Sequence, residues 1–425
     1  MGSEVAITLA TAKPKLIILA PRNKAKINPV LEAIRGFDEN VQTAFVQLDL
    51  LDNPTVIEAV GKIKNITPQN CFLLKDGLPD EKGSIIRLVE TVNALARHYP
   101  IPVSNTHSYT MSAMATTPHG LTTVQLDRYL EYIGLPQQFR RPEKPELNAE
   151  FLTALHIHHI AAFPYENLSL HYTKSVDISL DVQHLYQKFL RNGRGGYCME
   201  TSVLFNHILR GLGFRAYLTG ARIRPRKDGI PQGPYSGWCH VVNIIVLPDG
   251  SRYSCDVGFG GDGPTKPLPL ISGNTIVNLG LQEVRFQYKV IPGYLTEPQK
   301  LWVYQYRNGA TKPWSSFYAF GEDEWLPRDF EAINYWTSTY PGNHQTYTML
   351  IVRFLKRPDS GIYGKVMLVN GDVKQNLGGK TSLLLTCKTE DERIEVLKST
   401  FNITLTDEER EGIKGRVAEL RSFPN

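Results

Sequence analysis

The sequence predicts an α+β protein, because the spacing of its apolar residues changes from one zone of the chain to the next. Residues 121–212 show the three-to-four-residue spacing of helices, whereas residues 213–330 show short alternating strands separated by Gly and Pro, which indicates a barrel or a sandwich. Residues 331–425 combine both patterns. Before them, residues 1–66 are predicted to be a partial Rossmann-like α/β fragment and residues 67–120 an irregular segment and linker.

The N-terminal zone contains two apolar runs, Lys15–Ala20 and Ala44–Leu50, each followed by helical spacing. Arg22, just after the first run, and Leu48-Asp49-Leu50, at the end of the second, are similar to positions in short-chain dehydrogenases, in which such an arginine often meets the NADP 2′-phosphate. No glycine-rich phosphate turn precedes Lys15, and no Tyr-x-x-x-Lys pair follows. We therefore expect no bound NAD(P) and no dehydrogenase activity.

The segment that follows contains a predicted helix at Ser84–His98 and a Ser/Thr/Met/Pro-rich linker from Ser104 to Gly120. A fragment as small as residues 1–66 would expose one face of its sheet. Three explanations remain open: the fragment docks on the rest of the protein, it is poorly ordered, or the natural start is Met111 or Met114.

Composition limits the class of protein. Hydrophobic residues make up 42% and charged residues 21%, as in ordinary globular proteins, and the net charge is only +5. Five cysteines, an odd number without a CxxC pair, favour a reducing compartment over a disulfide framework. No apolar run approaches the roughly 20 residues that span a bilayer. We expect a cytoplasmic monomer without nucleic-acid or membrane partners.

The best candidate for a nucleophile is Cys198, which follows the glycine-rich stretch Arg194-Gly-Gly-Tyr. Apolar residues at helical spacing begin directly after it and end near Gly213; they are Met199, Val203, Leu204, Ile208, Leu209 and Leu212. Cys198 is thus predicted at a helix N-terminus, where unpaired N–H groups and the helix dipole favour a thiolate. From this position alone we expect the pKa of its thiol to be lowered.

A cysteine nucleophile needs a base, and the base needs an acceptor that fixes its tautomer. His240 lies near the start of one predicted strand and Asp256 near the end of the next, with the turn Pro248-Asp249-Gly250-Ser251 between them. A plain two-residue turn would place the two side chains on opposite faces. We therefore predict a bulge or a three-residue loop between Val246 and Arg252, which would align them.

Other residues that could form functional sites have simpler structural explanations. A zinc site from His156, His158, His159 and His171 is not expected, because only His156 and His159 share a helix face and no cysteine or carboxylate completes four ligands. Cys239 and Cys255 are expected in the core, pointing away from their neighbours His240 and Asp256. The basic run Arg222, Arg224, Arg226 and Lys227 is read as a solvated loop, with the mouth of a site for a phosphate-bearing substrate as the alternative.

Three segments carry a resemblance to a known family: Phe163-Pro-Tyr-Glu-Asn-Leu168, Arg194-Gly-Gly-Tyr-Cys198 and Asp256-Val-Gly-Phe-Gly260. From about residue 121 to its end, the chain resembles the arylamine N-acetyltransferases. The resemblance implies a helical bundle that carries the cysteine, a β-barrel that carries His and Asp, and an α/β lid, with a triad arranged as in cysteine proteases.

The resemblance also implies roles for individual residues. Cys198, His240 and Asp256 would form the catalytic triad, and Ser236 and Gly237 would lie near the pantetheine of coenzyme A. Two aromatic residues, Tyr165 and Phe259, would line the acceptor pocket, and Glu166 and Arg194 would form a supporting ion pair.

The predicted activity is transfer of an acetyl, propionyl or malonyl group from acyl-CoA, through an acyl-cysteine, to an arylamine, hydrazine or aminophenol. Acyl-CoA is then a co-substrate, and no metal is required. The same triad also serves cysteine hydrolases, which is the alternative enzyme class. A non-enzymatic binding or scaffolding protein is the third possibility.

Overall fold

The computed structural model describes residues 16–20, 42–45, 71–75, 120–227, 229–358 and 361–420. Within the chain two compact units are distinguished, Met1–Ser112 and Ala113–Asn425. None of the helices in the described part is long and apolar enough to cross a bilayer.

The first unit contains a parallel sheet of three strands in the order β2-β1-β3. The strands are β1 (Leu16–Ala20), β2 (Gln42–Phe45) and β3 (Cys71–Lys75). The first agrees with the predicted run, the second begins earlier than predicted, and the third lies in a segment predicted to be irregular. The predicted helices of this zone, Arg22 and the linker lie outside the described residues.

The described part of the second unit begins with helices, as the apolar spacing predicts. Each of the longer ones is capped by a polar side chain or starts at a glycine-rich turn, and the first carries a reciprocal cap between Thr122 and Gln125. Their bounds are α1 Thr123–Tyr132, α2 Ala149–Ala162, α3 Val182–Tyr186 and α4 Cys198–Gly211. The second helix ends before Pro164, which has no N–H to continue it.

An antiparallel sheet of eight strands follows, in the order β10-β9-β8-β5-β14-β13-β12-β11. Its bounds are β5 Arg215–Ile223, β8 Trp238–Val246, β9 Arg252–Cys255, β10 Leu268–Pro269, β11 Thr275–Val277, β12 Gln282–Val290, β13 Lys300–Asn308 and β14 Ser315–Phe320. The short pair β6 (Arg226–Lys227) and β7 (Ile230–Pro231) lies between β5 and β8 in the sequence. One face of the large sheet is an aromatic core built around Phe286, Trp302, Tyr304, Tyr318 and Phe320.

The last part of the chain contributes a five-stranded sheet in the order β18-β17-β16-β15-β4. Its strands are β4 Tyr165–Glu166, β15 Leu350–Lys356, β16 Ile362–Val369, β17 Asp372–Asn376 and β18 Ser382–Thr386. The helices of this part are α5 Pro327–Thr339, α6 His344–Tyr347, α7 Glu390–Phe401 and α8 Asp407–Gly412. Helix α5 crosses the predicted boundary between the barrel zone and the last zone, at residue 330. Because β4 comes from the helical zone, the sheet ties the lid region to the segment that precedes the cysteine.

Helix α4 is docked on strand β8 by buried polar side chains. Ser202 Oγ donates to the carbonyl of Val241 at 3.4 Å, and Asn243 Nδ2 donates to the carbonyl of Ser202 at 3.1 Å. One turn further along the helix, Asn206 Nδ2 donates to Asn243 Oδ1 at 3.0 Å. Buried amides and hydroxyls are costly unless paired, so this ladder fixes the position of the helix relative to the strand.

A buried ion pair stabilises the segment that leads into the helix. Arg194 donates from Nε to Glu166 Oε1 at 3.0 Å and from Nη2 to Glu166 Oε2 at 3.3 Å, as the resemblance implied. Burial works to raise the pKa of Glu166, but the charges of Arg194 and Lys188, with hydrogen bonds from Arg194 and the Leu168 N–H, hold it below its usual value. Arg194 also pairs with Glu409 at the start of α8.

We predict that Arg194→Met lowers the free energy of unfolding at pH 7 by about 3–5 kcal/mol, because Glu166 keeps a buried, uncompensated charge. The matched control is Arg141→Met, which removes an exposed pair with Asp127 and should cost less than about 1 kcal/mol. Urea unfolding measures both.

The pH dependence of this effect gives a second readout. The pair stabilises the wild type above the ordinary glutamate pKa, about 4.3, and that contribution is lost as the pH falls through the lowered pKa of Glu166. The difference between wild type and Arg194→Met should therefore shrink on acidification. A difference that does not vary with pH would contradict the assignment.

Candidate active site

Cys198 is the first residue of α4, as predicted, and only 4% of it is exposed. Close backbone approaches hold it in place. A Cβ at Gly195 would lie 1.8 Å from the carbonyl oxygen of Pro164, and a Cβ at Gly258 would lie 2.9 Å from the Cα of Cys198. Only glycine fits at these two positions, which explains the glycine-rich turn and brings the loop after Asp256 against the cysteine.

The expected lowering of the cysteine pKa is wrong for the thiol taken by itself. Burial raises the pKa of Cys198 well above its usual value, and the neighbouring Cys239 and Asp256 raise it further. The backbone N–H groups of Met199 and of Cys198 itself act in the opposite direction but do not prevail. A thiolate at this position therefore needs a base that takes the proton and stays beside the sulfur as a cation.

His240 and Asp256 lie together across the β8–β9 hairpin. His240 Nε2 is 2.8 Å from Asp256 Oδ2, and both side chains are almost completely buried. The other carboxylate oxygen, Oδ1, accepts the N–H of Gly258 at 3.2 Å. Because the carboxylate occupies Nε2, Nδ1 is the ring nitrogen left to act on a substrate or a nucleophile.

The hairpin loop has an odd number of residues, as predicted from the requirement that His240 and Asp256 lie on the same face. Its ladder pairs Asn243 with Cys255 and ends at Val246 opposite Arg252. The Leu247 N–H then donates to the carbonyl of Ser251 at 2.9 Å, which leaves Pro248-Asp249-Gly250 as a three-residue loop. Gly250 has φ +85°, the left-handed value that such loops require.

Aromatic rings surround the imidazole. Phe259 contacts His240 edge-on at 5.1 Å between ring centroids, and Tyr318 lies 5.6 Å from it. Phe317 packs perpendicular to Phe259 at 4.6 Å. This wall displaces water from the region of the dyad, and the predicted pocket residue Phe259 is part of it.

The other predicted pocket residue, Tyr165, lies on β4 beside the cysteine segment. The ring packs against Gly260, and its hydroxyl accepts a hydrogen bond from Gln345 Nε2 at 2.6 Å. Burial raises the pKa of Tyr165 well above its usual value, and the nearby Cys198 adds to this effect. Sequence reasoning missed Gln345, which lies 180 residues away in the short helix α6.

Ser236 and Gly237 lie just before β8, four and three residues ahead of His240. Ser236 Oγ accepts the Ile223 N–H at 3.1 Å and lies 3.0 Å from Cys239 Sγ. Apart from Gly237 and its two chain neighbours, no heavy atom of the described residues lies within 4 Å of the point that a Cβ at Gly237 would occupy. Hydrogen bonding thus holds Ser236 in place, whereas the space beside Gly237 is open.

The buried histidines have structural partners. His159 Nδ1 lies 2.7 Å from the Tyr129 hydroxyl, His158 Nδ1 lies 2.9 Å from the Ile133 carbonyl, and His156 Nε2 lies 3.2 Å from the Pro264 carbonyl. His171 is likewise buried. Across the described residues, no group of three or more His, Cys, Asp or Glu converges on a point that could hold a metal ion.

Cys239 and Cys255, the two cysteines of the hairpin strands, are buried in the core, as predicted. The arginines of the basic run have different partners. Arg222 stacks on Trp238, Arg224 donates to the Gly233 carbonyl, and Arg226 pairs with Asp262. The three arginines therefore have protein partners, while Arg226 and Lys227 are exposed to solvent, as expected for a solvated loop.

A model described as N-acetyltransferase matches residues 148–410, which is more than half of the chain. The N-malonyltransferase FDB2 of Fusarium pseudograminearum is 31% identical over 320 residues, covering 70% of this chain and 93% of that protein. Neither these matches nor the solved structures support the likeness of the N-terminal zone to short-chain dehydrogenases.

Solved structures agree on the fold. The arylamine N-acetyltransferase from Salmonella typhimurium is 25% identical with a TM-score of 0.56, covering 69% of this chain and 98% of that chain. The Mycobacterium marinum arylamine N-acetyltransferase in complex with CoA is 22% identical with a TM-score of 0.57, covering 69% and 99%. These similarities confirm the predicted helical bundle, β-barrel and α/β architecture, and the chain belongs to the arylamine N-acetyltransferase family of acyl-CoA-dependent N-acyltransferases.

Proposed function

We propose that Cys198, His240 and Asp256 form a catalytic triad that transfers a malonyl group from malonyl-CoA to an aromatic amine. The observation that carries the proposal is the 2.8 Å contact between His240 Nε2 and Asp256 Oδ2, beside a buried helix-terminal cysteine. A nucleophile, a base and an orienting carboxylate are the parts that covalent acyl transfer requires.

In the first half-reaction, His240 Nδ1 accepts the proton of Cys198, while Asp256 holds the ring and stabilises the imidazolium. The thiolate attacks the carbonyl carbon of the thioester, the bond from that carbon to the CoA sulfur breaks, and His240 returns the proton to the departing CoA thiolate. One thioester replaces another, so this step is nearly balanced in free energy.

In the second half-reaction, the amine attacks the acyl-cysteine carbonyl and loses a proton to His240. The bond from carbon to the Cys198 sulfur breaks, and an amide leaves the site. Amide formation from a thioester runs downhill. The aromatic wall around His240 protects the acyl-cysteine from hydrolysis by limiting access of water.

The donor is proposed from the relatives, since FDB2 is described as an N-malonyltransferase. The pantetheine arm of the donor is proposed to pass Ser236 and Gly237, because the space beside Gly237 is open and lies next to the strand that carries His240. Acetyl- and propionyl-CoA are the competing donors.

Aromatic amines, hydrazines and aminophenols are the proposed acceptors. Tyr165 supports an acceptor with an oxygen substituent: its hydroxyl oxygen accepts from Gln345, and no described group takes the hydroxyl proton. We further propose that the enzyme acts as a cytoplasmic monomer without nucleic-acid or membrane partners, which accords with its small net charge.

Asp256→Asn should lower the rate of Cys198 acylation by about 10²- to 10⁴-fold, because the amide cannot stabilise an imidazolium and favours the wrong tautomer. Mass spectrometry of samples quenched at successive times measures the rate, and a thermal melt checks that the variant is folded. The control is Asp249→Asn, in the loop of the same hairpin, where Asp249 only caps Ser251. Equal rates for Asp256→Asn and wild type would remove Asp256 from the mechanism.

Incubation with malonyl-, acetyl- or propionyl-CoA, followed by intact-mass measurement, tests both the nucleophile and the donor. We expect one malonyl group on Cys198, its loss on adding an aromatic amine, and no adduct on Cys198→Ala. No adduct from any donor would refute acyl transfer. An adduct lost to water as fast as to amine would favour the hydrolase, and full amine acylation by Cys198→Ala would favour a non-enzymatic role for the triad.

A further inference from the structure

Two cations share one carboxylate at the far end of the loop that follows Asp256. Asp262 pairs with Arg226, and its other oxygen, Oδ1, lies 3.2 Å from Lys365 Nζ. Lys365 also donates to the carbonyl of Gly261. The Lys365 side chain is only 6% exposed, which is unusual for an ammonium group that lacks a carboxylate of its own.

The loop leads from the triad to this cluster. Gly258 contacts Cys198, Phe259 packs on His240, and Gly260 packs on the ring of Tyr165. The next residue, Gly261, has its would-be Cβ position 3.6 Å from Lys365 Nζ. Consecutive loop residues thus contact the nucleophile, the base, the pocket wall and the buried ammonium group.

A second chain of contacts starts at the Tyr165 hydroxyl. Gln345 Nε2 lies 2.6 Å from the Tyr165 hydroxyl and 3.1 Å from His344 Nε2. Burial lowers the pKa of His344, and the charge of Arg226 lowers it further, so the guanidinium acts on this imidazole. The charge of Arg226 therefore acts on the imidazole at the end of this chain of contacts from Tyr165.

The aromatic wall adds a third connection. The guanidinium of Arg226 lies 4.5 Å from the centroid of Phe317, which packs on Phe259 next to His240. The two glycines of the loop, Gly260 and Gly261, contribute no side chain to the space between. Positive charge therefore lies at the end of the loop whose earlier residues lie against Cys198 and Tyr165.

The charges of the cluster do not cancel. Arg226 and Lys365 bring two positive charges, and Asp262 brings one negative charge, so the three side chains carry a net charge of +1. An ammonium group has three protons to donate, and Lys365 uses two of them on Gly261 and Asp262. The cluster can therefore accept one further carboxylate.

We propose that Arg226 and Lys365 bind the terminal carboxylate of the malonyl group and so select malonyl-CoA over acetyl-CoA. The inference rests on the proposed function and assigns its donor selectivity to named side chains. A malonyl group differs from an acetyl group by this carboxylate, and a charge-assisted hydrogen bond is the interaction that best separates the two.

The test is acylation of Cys198 in a single turnover without any amine, which isolates the donor. Lys365→Met keeps the length of the side chain and removes its charge. We expect the ratio of malonyl-CoA to acetyl-CoA acylation rates to fall about 10- to 100-fold. The matched control is Lys374→Met on the neighbouring strand, which removes a partly exposed lysine 3.1 Å from Asp372 and should leave the ratio unchanged.

Asp262→Asn should move the ratio in the opposite direction. The neutral amide no longer competes for Arg226 and Lys365, so their charges become available and the preference for malonyl-CoA rises. A purely structural ion bridge would affect stability in both variants without this opposite change, and the second variant keeps the test decisive if Lys365→Met does not fold.

Two results would overturn this inference and leave the proposed function intact. One is a wild type that prefers malonyl-CoA with the same ratio in Lys365→Met, Asp262→Asn and the control. The other is an unchanged acylation ratio with altered transfer to 4-aminobenzoate relative to aniline, which would assign the cations to a carboxylate on the acceptor. A wild type acylated by acetyl-CoA but not by malonyl-CoA would instead refute the proposed donor, and the inference with it.

Discussion

The arrangement of the site depends on the number of residues in one hairpin loop. Side chains along a strand alternate between faces, so His240 and Asp256 can meet only if the loop between their strands is odd. The three residues Pro248-Asp249-Gly250 satisfy this condition, and the resulting contact is 2.8 Å long. Adding or removing one loop residue would turn the carboxylate to the other face and leave the imidazole without its partner.

Burial of the cysteine makes this contact necessary in the proposed mechanism. In the apolar environment of α4 the pKa of the Cys198 thiol is raised, since a lone thiolate would lose its hydration. The helix terminus alone does not compensate for this. A neighbouring imidazolium could do so, and the docking of α4 on β8 through Ser202, Asn206 and Asn243 fixes the helix relative to the strand that carries His240. The same burial favours acyl transfer, because it limits hydrolysis.

Local sequence patterns predicted the features that depend on neighbouring residues. The helix that starts at Cys198 follows from apolar spacing, and the odd hairpin loop follows from the requirement that His240 and Asp256 share a face. Features made by distant parts of the chain could not be found in this way. The raised pKa of the Cys198 thiol comes from tertiary burial. Gln345 contacts Tyr165 from 180 residues away, and Lys365 contacts Gly261 from 104 residues away. The strand Cys71–Lys75 was missed because a single short apolar run does not by itself distinguish a buried strand from part of a helix.

The central claim is that His240 makes the buried cysteine reactive, and the pH dependence of Cys198 alkylation by iodoacetamide tests it most directly. Peptide mass spectrometry separates Cys198 from the other four cysteines. In the wild type, alkylation should persist below the ordinary thiol pKa of about 8.5, as expected for a thiolate–imidazolium pair. In His240→Gln, it should appear only above that value, because burial then acts on the thiol without a base. Identical pH profiles for the two proteins would contradict the account.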